Sequence, residues 1–195
     1  MNRRLLLASI ATMAASRVAA QSTQPAPAPA QTVAPPKPEG GLSGAQQKHI
    51  NDTMAVGSLS LMLSRNAQPK VKHPVLKQFV EFEIAEQETV ADVLKAIRTK
   101  GPLTGSIAAP SDADLMQNLD DQGKAAVEKL KNTPAGSQFD HDYHRYEVEG
   151  HRKLLDIQEV YLKAPDNLDE TNVAKLARGM IKEHLTLLGD LNNVG

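Results

Sequence analysis

The sequence FDHDYHRYEVEGHRKLLDIQEVYL, residues 139–162, contains the pattern that decides the fold. Its apolar and small residues recur at intervals of three and four, which is the spacing of one face of an α-helix. These positions are Phe139, Tyr143, Tyr146, Gly150, Leu154, Ile157 and Tyr161. Beside them, an apolar series repeats every seven residues at Val148, Leu155 and Leu162. The stretch therefore predicts a long helix with a broad buried face.

The polar residues of this predicted helix divide between two sides. At about 100° per residue, four polar side chains fall between the two apolar series. They are His144, Glu147, His151 and Gln158. His141 falls on the opposite side, where we expect it to face solvent. The phase of the helix thus predicts that Glu147 and His151 point toward packed neighbours.

Further helices are predicted on both sides of this stretch. Breaks containing proline or glycine, at residues 68–74, 101–110, 133–136 and 164–167, separate five segments of helical spacing. Besides residues 139–162, the helices are expected at 43–65, at 74–99, at 169–191 and, as a shorter helix, from residue 111. None of these segments has a sustained strand alternation. The prediction is an all-α fold, an antiparallel four-helix bundle with one additional short helix.

Charged residues interrupt the predicted buried faces of two other helices. In residues 74–99, the apolar series includes Phe79 and Phe82, with Glu86 near its middle and Glu83 at its margin. In residues 169–191, His184 stands where its neighbours predict an apolar side chain. Such groups need partners, because removing an isolated charge from water costs several kcal/mol.

A buried charged group can be paired with another such group, with water or with a metal ion. The candidate metal ligands are Glu83, Glu86, Glu147, His151 and His184. Imidazole and carboxylate groups suit zinc, iron or manganese, so the cofactor that this set predicts is one divalent ion. The alternative is a hydrogen-bonded network that satisfies the two histidines without an ion. A further histidine, His49, is predicted on the polar side of the first helix, at the surface.

The first 42 residues have the composition of an export signal followed by a linker. Arg3 and Arg4 precede an apolar run at residues 5–15, and small residues at 18–20 suit a signal peptidase. Residues 21–42 are rich in proline, alanine, glutamine and threonine, which predicts a disordered linker. The predicted organisation is therefore a signal peptide at 1–20, a linker at 21–42 and a helical bundle domain at 43–195. The predicted location is the periplasm or the cell exterior, by either the general or the twin-arginine route.

The composition excludes several functional classes. The chain has no cysteine, so it has no disulfide, lipid attachment site or thiolate metal cluster. Loss of the three arginines of the signal segment changes the net charge from −1 to −4, and no basic patch is present, so nucleic acid is not a predicted partner. The apolar run at residues 5–15 is too short to leave a membrane span in the mature protein. No nucleophile or phosphate-binding motif is present, which favours a role other than catalysis.

Several stretches of the chain resemble the domain of unknown function 4142 family of exported bacterial proteins. Residues 139–155 (FDHDYHRYEVEGHRKLL) and 172–188 (NVAKLARGMIKEHLTLL) are similar to the C-terminal half of that family. Residues 54–67 (MAVGSLSLMLSRNA) resemble its first helix, and residues 73–87 (HPVLKQFVEFEIAEQ) its second. The resemblance covers about residues 43–191 and implies a ferritin-like bundle without a settled activity.

Two departures from the family pattern bear on metal binding. The family usually has histidine after an acidic residue where this chain has Gln87 after Glu86, and its first helix often carries a glutamate that is missing here. No glutamate is followed by histidine at the third position, as a ferritin-like di-iron site requires. We therefore predict an exported helical-bundle protein that acts by binding an envelope partner or in envelope stress. The alternative is a divalent metal-binding ferritin-like protein.

Overall fold

The computed structural model describes residues 41–102, 104–189 and 191, and this part of the chain is all-α, without a strand. Its helices are α1 (Gly44–Ala67), α2 (Pro74–Thr99), α3 (Asp112–Gln117), α4 (Asp121–Asn132), α5 (Ser137–Leu162) and α6 (Leu168–Gly189). The predicted signal peptide and residues 21–40 of the predicted linker lie outside the described residues. Among the described residues, no helix is long and apolar enough to cross a membrane.

The ends of α1 and α2 follow from local capping chemistry. The N–H of Gln46 donates to Ser43 Oγ at 3.0 Å, and the N–H of Ser43 donates to Gln46 Oε1 at 2.9 Å, which is a capping box. Helix α2 begins at Pro74, where a missing N–H leaves no helical hydrogen bond unmade. Its C-cap is Lys100, which has a left-handed φ of 51°. These bounds agree with the predicted ones within two residues.

The prediction of one short extra helix is wrong, because the segment after residue 111 forms two helices, α3 and α4. The break lies at residues 118–120. Asp120 Oδ1 accepts the N–H of Gly123 at 2.7 Å and so begins α4 as an N-cap. Asn118 Nδ2 donates to Ser58 Oγ of α1 at 2.9 Å, and Leu119 is buried in the core. A side-chain cap and a contact with α1 thus interrupt a helical apolar pattern.

The four long helices pack in a closed order. Helix α1 packs against α2 and α5, α6 packs against α5 and α2, and α3 and α4 lie against α1. Contacts along α1 and α5 pair Ser64 with Tyr143 and His49 with Gln158, so these two helices run in opposite directions. The packing is consistent with a helical bundle, and it brings the middle of α1, α2, α5 and α6 together.

The buried face of α2 differs in phase from the predicted one. Phe79, Glu83 and Gln87 are buried, whereas Phe82 is 48% exposed and Glu86 is only partly buried. The prediction counted Phe82 as a core residue, which rotated the inferred face away from Glu83. The structure therefore places Glu83 in the centre of the buried face and Glu86 at its edge, the reverse of the predicted order.

Candidate metal centre

Three of the five predicted ligands bring their donor atoms together. Glu83 of α2, His151 of α5 and His184 of α6 each place one ligand atom within 4.8 Å of the others. His151 Nε2 lies 2.9 Å from His184 Nδ1, and Glu83 Oε2 lies 3.2 Å from the first nitrogen and 3.1 Å from the second. We call these three residues the donor triad.

The other two predicted ligands lie behind the histidines of the donor triad. Glu86 Oε2 is 2.9 Å from Nε2 of His184, the nitrogen that faces away from the triad. Glu147 Oε2 is 3.6 Å from Nδ1 of His151, again the outer nitrogen, and the same Nδ1–H donates to the Glu147 carbonyl at 2.8 Å. An acceptor beside each outer nitrogen favours a proton there and leaves the inner lone pair free. Metal-binding histidines have this arrangement.

Serine hydroxyls of α1 connect the donor triad to Glu147. Ser60 Oγ lies 2.5 Å from both Glu83 Oε1 and Glu147 Oε2. A hydroxyl has one proton to donate, so the second of these contacts requires a proton on a carboxyl group. Ser64 Oγ lies 2.7 Å from the Tyr143 hydroxyl and donates to Glu147 Oε1 at 3.4 Å. Sequence analysis did not single out either serine.

The pKa values of the two carboxyl groups indicate which of them carries that proton. Burial, the largest influence, and the charge of Glu83 together raise the pKa of Glu147 to about 8. Burial also acts to raise the pKa of Glu83, but the charge of His151, the close contacts of His151 and His184 and the hydrogen bond from Ser60 hold it well below its ordinary value. Near neutral pH, Glu83 is therefore a carboxylate and Glu147 is a neutral acid that donates to Ser60.

The two histidines bind protons tightly in the ion-free protein. Burial acts to lower the pKa of His184, but its contacts with Glu83 and Glu86 outweigh burial and raise that pKa to about 9. Burial likewise opposes the charge of Glu83 at His151, and the net effect is a raised pKa. An entering cation must therefore displace protons from the donor triad.

The donor triad lies in the buried interior of the bundle, and the side toward Glu86 is more exposed than the rest. The side chains of Glu83 and His151 are 0% exposed and that of His184 is 7% exposed, whereas that of Glu86 is 35% exposed. The buried Phe79 ring packs against both imidazoles, with ring centroids 5.7 Å from that of His151 and 5.0 Å from that of His184. Exclusion of water strengthens the attraction between Glu83 and a cation.

The spacing of the donor atoms suits a small divalent ion. In a tetrahedral zinc site, ligand atoms about 2.0–2.1 Å from the metal are about 3.3 Å from one another. The donor triad has separations of 2.9, 3.1 and 3.2 Å. An ion therefore requires these atoms to separate by only a few tenths of an ångström. Two imidazoles and one carboxylate on one face are a known ligand set for zinc and for iron(II).

A second buried group of polar residues was missed, and the prediction that His49 lies at the surface is wrong. His49 is 3% exposed, and its Nδ1 makes a short contact with Glu170 Oε1. Its Nε2 lies 2.7 Å from Gln158 Oε1, and Gln158 Nε2 donates to Thr53 Oγ1 at 3.1 Å. The imidazole also stacks on Tyr161, with centroids 4.5 Å apart. We call these five residues the His49 cluster.

A pattern in α1 indicates that this helix buries a polar face. Small and polar residues of α1 recur at intervals of three and four and are all buried, at Gln46, His49, Thr53, Gly57, Ser60 and Ser64. This stripe was not recognised because the prediction followed apolar residues alone. Polar spacing at the helical period carries the same positional information as apolar spacing.

Comparison with known proteins identifies a family but no characterised relative. The family model described as "Domain of unknown function (DUF4142)" matches residues 31–191. No curated protein and no solved structure matches the chain. The function must therefore be inferred from the geometry of the chain itself.

Proposed function

We propose that this chain, which belongs to the DUF4142 family, binds one divalent transition-metal ion at the donor triad of Glu83, His151 and His184. The observation that carries the proposal is the convergence of three donor atoms from buried residues. Glu83 Oε2 makes no hydrogen bond, although two ring nitrogens lie within 3.2 Å of it. The oxygen and the two nitrogens are therefore arranged like the ligand atoms around a bound ion.

The donor set favours zinc, iron(II) or manganese(II). Two imidazole nitrogens and one carboxylate oxygen suit these metals, and the chain has no cysteine to favour softer ions. We infer a single ion, because α1 contributes hydroxyls from Ser60 and Ser64 where a ferritin-like di-iron site uses a carboxylate. This inference agrees with the expectation, from the sequence, that the chain lacks a di-iron centre.

We also infer a ferritin-like arrangement of α1, α2, α5 and α6 and export from the cytoplasm. The closed packing order of the four helices supports the first inference, as do the polar residues that each contributes near the donor triad. The charged and apolar pattern of residues 1–20 supports the second, with residues 21–42 as a linker and 43–195 as the bundle domain. The protein is then a metal-binding bundle of the periplasm or cell exterior.

The alternative is a non-catalytic envelope-binding or stress protein in which the same residues form a network without an ion. The contact of 2.9 Å between His151 Nε2 and His184 Nδ1 favours it, because one proton between the two nitrogens satisfies both. In that case, the triad fixes the packing of α2, α5 and α6, and added metal leaves the stability unchanged. Metal content and thermal unfolding therefore distinguish the two functions.

Elemental analysis and thermal unfolding of the purified protein test the proposal. We expect about one ion per chain after incubation with Zn²⁺, Mn²⁺ or anaerobic Fe²⁺ and removal of free metal. We also expect a higher Tm, because an ion at about 100 times its Kd stabilises the folded state by about 2.7 kcal/mol.

Two histidine substitutions connect the bound ion to the donor triad. His184→Ala should abolish stoichiometric binding, while His141→Ala should retain it, because His141 is an exposed histidine of α5. Circular dichroism establishes that both variants remain helical. Absence of stoichiometric metal in the wild type, together with an unchanged Tm in all three metals, would contradict the proposal.

A further inference from the structure

We propose that Glu86 is the residue that captures a divalent ion from solvent and passes it to the donor triad. The inference rests on the proposed function, since it concerns the route by which the same ion arrives. It also gives Glu86 a role different from the predicted one, in which it was a ligand of the bound ion.

Side-chain exposure decreases stepwise from Glu86 to the donor triad. The side chain of Glu86 is 35% exposed, that of His184 is 7% exposed, and those of Glu83 and His151 are 0% exposed. The buried Phe79 ring covers both imidazoles from within the core. Among these residues, Glu86 is therefore the first that an ion from solvent meets.

The carboxylate of Glu86 is directed inward as well as being exposed. Its Oε2 atom is buried and has no partner besides His184 Nε2, which lies 2.9 Å away. A carboxylate oxygen with a single partner retains a lone pair for a cation. Glu86 thus offers one inward oxygen to an ion that has lost only part of its hydration shell.

The imidazole of His184 connects this entry point to the donor triad. Its Nε2 faces Glu86 Oε2, while its Nδ1 lies 3.1 Å from Glu83 Oε2 and 2.9 Å from His151 Nε2. An ion at Glu86 is therefore separated from the donor triad by the width of one ring. The carboxylates of Glu86 and Glu83 lie on either side of that ring, so an ion that displaces the ring's protons is attracted from one carboxylate to the other.

Two possible roles of Glu86, capture of the ion by its charge and orientation of His184 by a hydrogen bond, predict different association rates after substitution. If its charge captures the ion, removing the charge slows association. If Glu86 only orients His184 by accepting from Nε2–H, an amide oxygen serves equally well and association is unchanged. Glu86→Gln separates the two roles because it removes the charge and keeps an acceptor.

Stopped-flow mixing with Co²⁺, followed by the visible absorption of the bound ion, measures the association and dissociation rates. At low ionic strength we expect Glu86→Gln to bind about tenfold more slowly than the wild type, the lower end of electrostatic rate enhancement. The difference should shrink as salt is added, because salt screens an exposed carboxylate. Glu86→Asp, which keeps the charge, should restore most of the rate.

Glu81→Gln is the matched control, since Glu81 is an exposed glutamate of α2 and its removal changes the net charge equally. We expect its association rate to match the wild type. An unchanged association rate in Glu86→Gln, with or without faster dissociation, would overturn the capture role and leave the proposed function standing. Failure of the wild type to bind Co²⁺ stoichiometrically would overturn both.

Discussion

The donor triad and the His49 cluster are both buried histidine–carboxylate groups, but their ring nitrogens are arranged differently. In the donor triad, one nitrogen from each of His151 and His184 approaches the same oxygen of Glu83, at 3.2 and 3.1 Å. In the His49 cluster, the two nitrogens of a single ring have separate partners, Glu170 on one side and Gln158 on the other.

Burial and residue type do not distinguish the two groups. Glu83 and Glu170 are both 0% exposed, and each has an Oε2 atom without a hydrogen bond. The groups lie at different levels of the bundle, since His49 and Ser60 are about 16 Å apart along α1 at 1.5 Å per residue. Of these two groups, the donor triad is the one that places three potential ligand atoms face to face. We therefore infer a metal-binding role for it and a structural role for the His49 cluster.

Removing the carboxylate of each group should produce the largest difference between the two groups in Zn²⁺ affinity. We expect Glu83→Gln to weaken Zn²⁺ binding roughly ten-thousandfold, or by about 5.5 kcal/mol, because it removes the anionic ligand. Glu170→Gln should leave Zn²⁺ affinity unchanged. Competition with a chromophoric chelator measures both affinities. Equal weakening in the two variants would contradict the assignment of separate roles.

Removing a histidine from the His49 cluster should affect stability rather than metal binding. His49→Leu leaves the Glu170 carboxylate buried without its main partner, which we expect to cost about 4 kcal/mol of unfolding free energy. Replacing both His49 and Glu170 by leucine should recover most of that loss, since no charge remains buried. Urea denaturation with a chelator present measures these differences. A neutral effect of His49→Leu alone would show that the pair is not an ion pair.

In the ion-free protein, the carboxyl group of Glu147 should make the free energy of unfolding depend on pH. Its pKa is raised to about 8 in the folded protein, so the folded state holds this proton more tightly than the unfolded state. Stability is then lost as the pH rises, by about 2 kcal/mol between about pH 6 and pH 8 from this group. The raised pKa of His184, about 9, adds a loss of the same sign.

Glu147→Gln should remove the part of this pH dependence that belongs to Glu147. The amide resembles the neutral acid and can donate to Ser60, so we expect the variant and the wild type to have similar stability near pH 6. Toward pH 8, the variant should lose less stability than the wild type. Glu149→Gln, at an exposed position of α5, is the control. Chelator-treated protein is required, and identical pH profiles for the wild type and Glu147→Gln would contradict the neutral state of this acid.

The smallest expected effect concerns the hydroxyls of α1 that support each group. Ser60→Ala removes the hydrogen bond to Glu83 Oε1, and we expect about tenfold weaker Zn²⁺ binding, as for other outer partners of metal ligands. Thr53→Ala removes the acceptor of Gln158 Nε2 and should leave Zn²⁺ affinity unchanged, with a loss of about 1 kcal/mol in stability. Titration calorimetry and urea denaturation check the pair.

Sequence periodicity predicted most of the helices and part of the candidate site. The spacing in residues 139–162 correctly predicted that Glu147, His151 and Gln158 are buried. The expectation that His184 interrupts a buried face was also confirmed. The prediction for His184 succeeded because Ala177, Ile181 and Leu188 define the phase of α6 closely. In α5, by contrast, the predicted stripe residues Tyr146, Gly150 and Ile157 are only partly buried, and the polar residues beside them form the centre of the buried face.

Periodicity failed where an apolar residue lies outside the core or a polar residue lies within it. Phe82 is 48% exposed, so including it displaced the predicted centre of α2 from Glu83 to Glu86. His49 was assigned to solvent because the prediction followed the apolar residues of α1, and its partners, Gln158 and Glu170, lie on other helices more than a hundred positions away in sequence. No local pattern in α1 contains those partners.

The sequence by itself determined which segments are helical and, for most of them, which side is buried, because both depend on the spacing of neighbouring residues. Only the tertiary structure decided that Glu83, His151 and His184 converge while Glu86 and Glu147 stay behind them. The physical reason is that distances between side chains of different helices depend on the rotation and axial position of each helix. A shift of one residue turns a helix by about 100° and exchanges a ligand for its neighbour.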